Sequence, residues 1–426
     1  MRILLFGLIT VFAIFGSFRK PKIGLFYFLF LLFWRDGYLL EYLPQIYQEW
    51  HIPLIMGWVV LLSWLAYIVP SGGKVCVPRE IVILAVLALV IFFSRYMIPG
   101  LQNAIYVFDE YIRMLILVFL IVNIIKTEAD IKQISFLVMI LTLLLVLYAY
   151  YRYKTEWLEI AVPSVYYVDR NFFAESIVAV IPIAFAFYET VVEKFKKYAF
   201  LLMTVALAGG VILTYSRGGL LALIIVLFFI FLSSKKKMHI IAIGLVSLAL
   251  LLPHIGQKYI DRVDTVKEFE QDNSAMQRIT TWTASIEMIK KNPVFGVGAG
   301  NFNDTFINYV PEEYLKYAGE RRSIHNMFLQ IFCETGFVGG GLFILVIISS
   351  FISLYLINRK NKRLSPERRL DLTIPNSFGI SLIGFCGAGF FLPGAYYSYI
   401  YIIFALIMAA KNIYSKAISE AELANG

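Results

Sequence analysis

Thirteen apolar runs separated by short charged turns constrain this chain more than any other feature. Within a few residues at each boundary they are 3–17, 22–34, 52–69, 80–94, 111–125, 133–151, 171–189, 198–215, 218–234, 238–253, 326–357, 376–392 and 395–410. Several approach the roughly 20 residues a helix needs to cross the hydrocarbon of a bilayer. Backbone groups in lipid must be paired internally, so such runs form helices. The first two are short and are expected to tilt or to pair as a hairpin. Composition agrees: 60% of residues are hydrophobic and 16% charged, against about 45–50% and about 25% in a soluble domain. The expected fold is all-α, a polytopic membrane helical bundle of 12 or 13 spans that forms a single domain over residues 1–426.

The net charge of +9 matters for where it sits. Basic residues gather at Arg19/Lys20/Lys22, Lys74/Arg79, Lys126/Lys132, Lys194/Lys196/Lys197, Lys235–Lys237 and Arg359–Arg369. If the spans alternate, all of these loops fall on one side, and the positive-inside rule makes that side the cytoplasm. No nucleic-acid partner is expected from a charge distributed in this way. Thirteen spans then put Met1 outside, and twelve result if one short run fails to cross. The basic stretch after Phe18 leads directly into another apolar run without a small-residue cleavage site, so an uncleaved first helix is expected. Cys76, Cys333 and Cys386 are odd in number and show neither a disulfide framework nor metal-type spacing.

The same alternation places residues 254–325 outside, as one sizeable loop in which acidic and basic residues nearly balance. Within it Gln277–Lys291 reads as a helix ended by Pro293. Ile279, Trp282, Ile286 and Ile289 recur at helical spacing and make one apolar face. Such a helix beside a membrane lies in the interface, with Trp at headgroup depth, and would hold Arg278 near the surface. The alternative is a small cap over the bundle. Gly296-Val297-Gly298-Ala299-Gly300-Asn301 permits a tight turn and close backbone approach. It lacks the Gly-Lys-Ser/Thr of a P-loop, and a structural turn is its expected role.

Three residues carry candidate chemistry. Arg217, in Thr214-Tyr215-Ser216-Arg217-Gly218-Gly219, lies between two apolar runs at the outer face. Arginine at membrane depth is costly and matches phosphate in bidentate fashion; the alternative is snorkelling to lipid phosphate. Arg278 begins the loop helix, where an ordinary loop arginine is the alternative. His325, one of four histidines, stands where the loop re-enters the membrane. An imidazole can accept a proton near neutral pH, although a lone histidine is often only a satisfied side chain. Together, two arginines could neutralise a diphosphate leaving group and a histidine could take a proton from an attacking hydroxyl, with fixed cations in the place of a metal ion. Tyr215, Ser216 and Asn326 are candidate substrate-binding neighbours. No metal ligand set and no cofactor is expected.

These motifs have a family likeness. Asp169-Arg170-Asn171-Phe172-Phe173-Ala174 followed by Ile181-Pro182, then Thr214–Gly219, then Arg278–Trp282 with Asn292-Pro293-Val294-Phe295-Gly296-Val297-Gly298, then His325-Asn326 with Glu334-Thr335-Gly336 and Gly339, resemble in order the segments of the O-antigen ligase family. That family includes polysaccharide polymerases and protein O-oligosaccharyltransferases. The likeness covers roughly residues 165–355. Arg19–Gly24 is also similar, more weakly, to an exosortase-associated O-glycosylation-ligase-like branch. The resemblance implies a glycosyltransferase-C-like helical fold in a bacterial inner membrane, with the active site facing the periplasm. It implies a glycan donor on an undecaprenyl diphosphate carrier, and an acceptor hydroxyl on lipid A-core of lipopolysaccharide, a glycan or a protein. It further implies inverting, metal-independent transfer, with Arg217 and Arg278 on the diphosphate and His325 activating the acceptor. Arg170 stands where the family often has Pro, an added cation near the donor or a tolerated change; Asp169 and Asn171 receive no role. The rival class is a transporter or flippase of lipid-linked glycan, for which repeat symmetry and charged midplane residues are expected. Neither is clear in this sequence.

Overall fold

The computed structural model of the protein describes residues 2–33, 52–94, 96, 103–156, 162–163, 168–251, 273–318 and 324–423. Each of the thirteen apolar runs falls on a helix. These are α1 (Arg2–Arg19), α2 (Pro21–Phe33), α3 (Ile52–Ile68), α4 (Arg79–Ser94), α5 (Asn103–Ile124), α6 (Glu128–Glu156), α7 (Arg170–Thr190), α8 (Lys194–Leu213), α9 (Arg217–Ser233) and α10 (Lys237–Leu251), followed by α13 (Met327–Arg363), α14 (Thr373–Gly389) and α15 (Ser398–Leu423). Between α10 and α13 lie α11 (Asn273–Lys291), the one-turn α12 (Phe302–Thr305) and two 3-10 turns. The helices α6, α7, α8, α13 and α15 are long and apolar enough to cross a membrane. The other apolar helices are shorter, or more charged in the case of α5. Among the described residues the only strand pairing is a two-residue antiparallel ladder, β1 (Val162–Pro163) with β2 (Val168–Asp169), just before α7. The chain is therefore an all-α polytopic membrane protein.

Burial sorts the helices by depth. In α7, 89% of the most apolar stretch is buried inside the protein. A helix apolar on every face belongs at the centre of a bundle, and α7 packs against α6, α8, α9 and α14. At the periphery, α1 exposes Leu8, Phe12 and Phe15 at helical spacing, a surface suited to lipid. One polar cluster is buried in the bundle. Glu80 of α4 accepts from Ser349 Oγ at 2.6 Å and Ser353 Oγ at 3.2 Å on α13, and from Lys411 Nζ at 3.2 Å on α15. An internal carboxylate needs such donors, and this one ties three helices together.

Contacts gather the basic loops at one end. Lys22, at the start of α2, pairs with Asp130 at the start of α6. Asn123, at the end of α5, bonds the backbone of Cys76 before α4, and Asn412 of α15 donates to the Cys76 thiol at 3.1 Å. Leu370 N–H donates to Asn361 Oδ1 at 2.9 Å beyond α13. Rings of Phe136, Phe187 and Phe200 carry the same end across to α7 and α8, and Lys236 reaches the last carbonyls of α7. The loops expected together from the alternation of spans are thus together.

The run 326–357 is not one straight rod. Gly336 inside α13 has φ 64° and ψ −167°. Asn358 of α13 bonds Asn376 of α14 at 2.6 Å, and Phe328 and Phe390, at the far ends of the same helices, have ring centroids 4.7 Å apart. At about 1.5 Å rise per residue, the stretch 328–358 would extend about 45 Å and the stretch 376–390 about 21 Å. Both pairs of ends can meet only because α13 bends at Gly336.

Candidate active site at the end opposite the basic loops

The bend leaves backbone groups without helical partners, and the glycine-rich loop supplies them. Val297 N–H donates to the Cys333 carbonyl at 2.9 Å and Gly298 N–H to that of Glu334 at 3.0 Å. In return the N–H groups of Phe337 and Val338 donate to the carbonyls of Pro293 and Val294, at 2.7 and 3.2 Å. Gly296, Gly298 and Gly300 have φ of 68°, 95° and 74°, a region that only glycine enters without strain. A Cβ on Gly296 would stand 2.5 Å from the Cys333 oxygen, and one on Gly336 would collide with the Val294 carbonyl. The loop is the structural turn expected from its glycines, and its job is to complete the broken helix. Ser94 Oγ at the end of α4 accepts from Ala299 N–H at 3.0 Å and fixes the loop to the bundle.

Helix α11 starts four residues earlier than expected and stops before Pro293 as expected. The face it buries shares Trp282 and Ile289 with the expected apolar stripe, and is otherwise made by smaller residues. Thr281, Ala284, Ser285 and Met288 are buried, whereas Ile286 is 43% exposed. Small residues bring α11 close to the start of α13, over a second small core that includes Val297, Phe302, Phe306 and Ile324. Ile289 and Trp282 pack against that core, whereas Ile286 faces away from it. The indole of Trp282 donates to the Ile324 carbonyl at 2.9 Å. Arg278 lies one turn before Trp282 on the same side of α11, and Ile324 immediately precedes His325. The loop residues 254–272 and 319–323 lie outside the described residues, as do His51 and His254.

Arg217 is the first residue of α9 and is exposed. Ser216 caps the helix: its Oγ accepts from Gly219 N–H at 3.1 Å and donates to Asn171 Oδ1 on α7 at 2.7 Å. The turn itself is made by Tyr215, with φ 54°. Gly218 and Gly219 sit in the first turn of α9 and allow close packing. A Cβ on Gly219 would collide with Ala174 of α7, and one on Gly218 would stand 3.1 Å from Phe391.

Segment 389–397, between α14 and α15, joins these pieces. Phe390 packs on Phe328, three residues past His325. Phe391 lies against Gly218, beside Arg217. Tyr397 stacks on Phe172, next to Asn171, at 4.4 Å and 17°. The Tyr401 hydroxyl donates to the Ala395 carbonyl at 2.7 Å and steadies the segment. The contacts therefore bring the backbone around Arg217 and around His325 to one end of the bundle, and α11 carries Arg278 to the segment entering His325. Among the described residues, the two non-glycine residues at positive φ are Tyr215 and His325, at 54° and 48°. Asn326 spends its amide oxygen on capping α13, accepting from Phe328 and Leu329 N–H at 3.0 and 2.9 Å.

Sequence reasoning passed over Asn171, Glu334 and segment 389–397. Glu334 is 3% exposed, with Gly300 N–H and the Tyr396 hydroxyl as neighbours. Burial, with the Glu334 carboxylate adding to it, pushes the Tyr396 phenol well above its usual range. The signal for the segment was Pro393-Gly394 between two apolar runs. Asn171 and Ser216 are 45 residues apart, a pairing that no local pattern displays.

Residues 202–344, about a third of the chain, match the family model described as O-Antigen ligase. The matched segment is similar to the O-antigen ligase family. It contains Arg217, Arg278, His325, the glycine-rich loop and the bend at Gly336, and it supports a membrane glycan ligase or polymerase. Asn171 and segment 389–397 lie outside the matched residues, so the family's segment is completed by packing from both flanks of the chain. No curated protein matches this one.

Proposed function

We propose that the protein transfers an oligo- or polysaccharide from a polyprenyl (undecaprenyl) diphosphate to an acceptor hydroxyl at the outer face of a bacterial cytoplasmic membrane. The observation that carries this reading is the coincidence of the O-antigen ligase segment with the two strained non-glycine residues, Tyr215 and His325, at the ends of the helices that present Arg217 and Asn326. Backbone strain of this kind is held where function requires it. The basic loops face the cytoplasm, so the opposite end meets a donor in the outer leaflet.

Arg217 and Arg278 bind the diphosphate. Arg217 adds its charge to the positive end of α9, where helix N–H groups already favour an anion. His325 accepts the proton of the acceptor hydroxyl as its oxygen bonds the anomeric carbon. The carbon–oxygen bond to the diphosphate breaks, and its electron pair leaves with the polyprenyl diphosphate, whose charge the arginines stabilise. Attack opposite the leaving group inverts the anomeric centre, and the fixed guanidiniums serve in place of a metal ion. Tyr215 and Ser216 set the start of α9, and Asn326 sets the start of α13. The acceptor is a hydroxyl of lipid A-core, of a glycan or of a protein.

The reading is tested by donor binding and transfer with protein in lipid nanodiscs. Arg217→Ala and Arg278→Ala are expected to weaken binding of the lipid-diphosphate-linked glycan and to cut transfer by at least about 100-fold, the scale for lost electrostatic stabilisation. Wild-type transfer rates in both variants would sink the assignment.

A further inference from the structure

The basic end holds a second arrangement of charge that the transfer reaction does not use. Lys197 of α8 and Lys236 of the α9–α10 turn come from different loops and meet over one side chain, Tyr188, which is 2% exposed near the end of α7. Lys236 Nζ is 4.3 Å and Lys197 Nζ 5.7 Å from the Tyr188 ring centroid. Lys236 Nζ also lies 3.4 Å from the carbonyl oxygens of Tyr188 and Glu189, and the His239 ring packs 5.6 Å from that of Tyr188. These contacts hold the two ammonium groups beside each other. Burial, and the Lys197 ammonium next to it, push the Lys236 amine below its usual range.

Two carboxylates lie nearby, and the charge of Glu189 partly offsets the repulsion at Lys236. Glu189 accepts from the Ser234 hydroxyl, and Glu193 pairs with Lys196 at 2.6 Å. Among the described residues neither Lys197 nor Lys236 has an ion-pair partner, whereas Lys22, Lys132 and Lys411 at the same end are paired with Asp130, Glu128 and Glu80. Two like charges fixed side by side repel, and a shared anion turns that cost into binding. The surroundings select the kind of anion. Phe195, Tyr198 and Leu202 on α8, with Met238 and Leu245 on α10, are exposed apolar side chains on the helices that leave the lysines. A ligand that satisfies both surfaces has a phosphate at one end and hydrocarbon at the other.

We propose that Lys197 and Lys236, seated on Tyr188, bind the phosphate of an anionic phospholipid headgroup, with its acyl chains along α8 and α10. The test is thermal unfolding of the full chain, delipidated in a nonionic detergent, after addition of phosphatidylglycerol or phosphatidylcholine in mixed micelles. Phosphatidylglycerol is expected to raise the Tm by several degrees more than phosphatidylcholine. Lys197→Gln/Lys236→Gln is expected to lose that difference without a lower lipid-free Tm, because repulsion is removed. Lys197→Glu, which places a carboxylate beside Lys236, is expected to raise the lipid-free Tm and abolish the response, while Lys132→Gln keeps it. An equal response of the wild type to both lipids, or an undiminished phosphatidylglycerol response in the double variant, would overturn the site. An equal Tm rise with inorganic phosphate alone would overturn the lipid as its ligand.

Discussion

At the scale of single residues, the candidate site is organised by backbone conformation before it is organised by charge. Tyr215 and His325 take up left-handed conformations, which cost a non-glycine residue about 1–2 kcal/mol. In each case a capping side chain follows at once: Ser216 opens α9 and Asn326 opens α13. Left-handed turn plus cap fixes the direction in which a helix begins, and so the place of Arg217 or His325. Ser216 has the further bond to Asn171. Ser216→Ala is therefore expected to cost about 1 kcal/mol of stability, the usual value of a lost cap, and to lower transfer through misplacement of Arg217. Asn171→Ala, which spares the cap, should lower transfer with a smaller loss of Tm. Thermal unfolding and transfer rates measured on both variants separate the two effects. If Asn171→Ala leaves transfer unchanged, Asn171 has no positioning role.

At the scale of elements, the unit that matters is a broken helix repaired by a loop. The bend at Gly336 exposes two carbonyls and two N–H groups, and residues 293–298 satisfy all four. Gly336→Ala is expected to displace Val294 and Phe295, to lower the Tm by several degrees and to reduce transfer. Gly244→Ala on α10 is the control, because nothing lies within 4 Å of the added Cβ. Equal Tm values for the two variants would show that the repair contributes nothing. The sequence made the helices legible, since apolar length alone locates them, and the glycines and Pro293 marked the loop. The bend in 326–357 was not read, because the apolar residues on both sides of Glu334-Thr335-Gly336 join into one long run. Nor was the full buried face of α11, where Thr281, Ala284 and Ser285 join Trp282 and Ile289 of the apolar stripe. The pairing of loop with bend depends on contacts about 40 residues apart in sequence, which periodicity does not reach.

At the scale of the whole molecule, charge and packing agree on a bundle with two unlike ends. One end collects the lysines and arginines. The other presents Arg217, His325 and segment 389–397. The positive-inside rule assigns the first end to the cytoplasm, and this predicts labelling from opposite sides. With Cys76, Cys333 and Cys386 replaced by Ser, a cysteine at exposed Lys235 should react with a membrane-impermeant thiol reagent only after permeabilisation of spheroplasts. One at exposed Glu312 should react in intact spheroplasts. The same labelling from one side at both positions would refute the topology. The arginines and His325 were legible as candidates because arginine is rare at membrane depth and histidine rare in this chain. That α7, α9, α11 and α13 bring them to one end was not, since Arg217 and His325 are separated by more than one hundred residues.

In the proposed reaction His325 takes the acceptor proton, and this role governs the rate of transfer. It is tested most directly by single-turnover transfer with His325→Asn. Asparagine tolerates the left-handed conformation and so keeps the turn while removing the base. The expected result is an unchanged Tm, retained donor binding and transfer slowed by about 100-fold or more. Transfer by His325→Asn at the wild-type rate would contradict it.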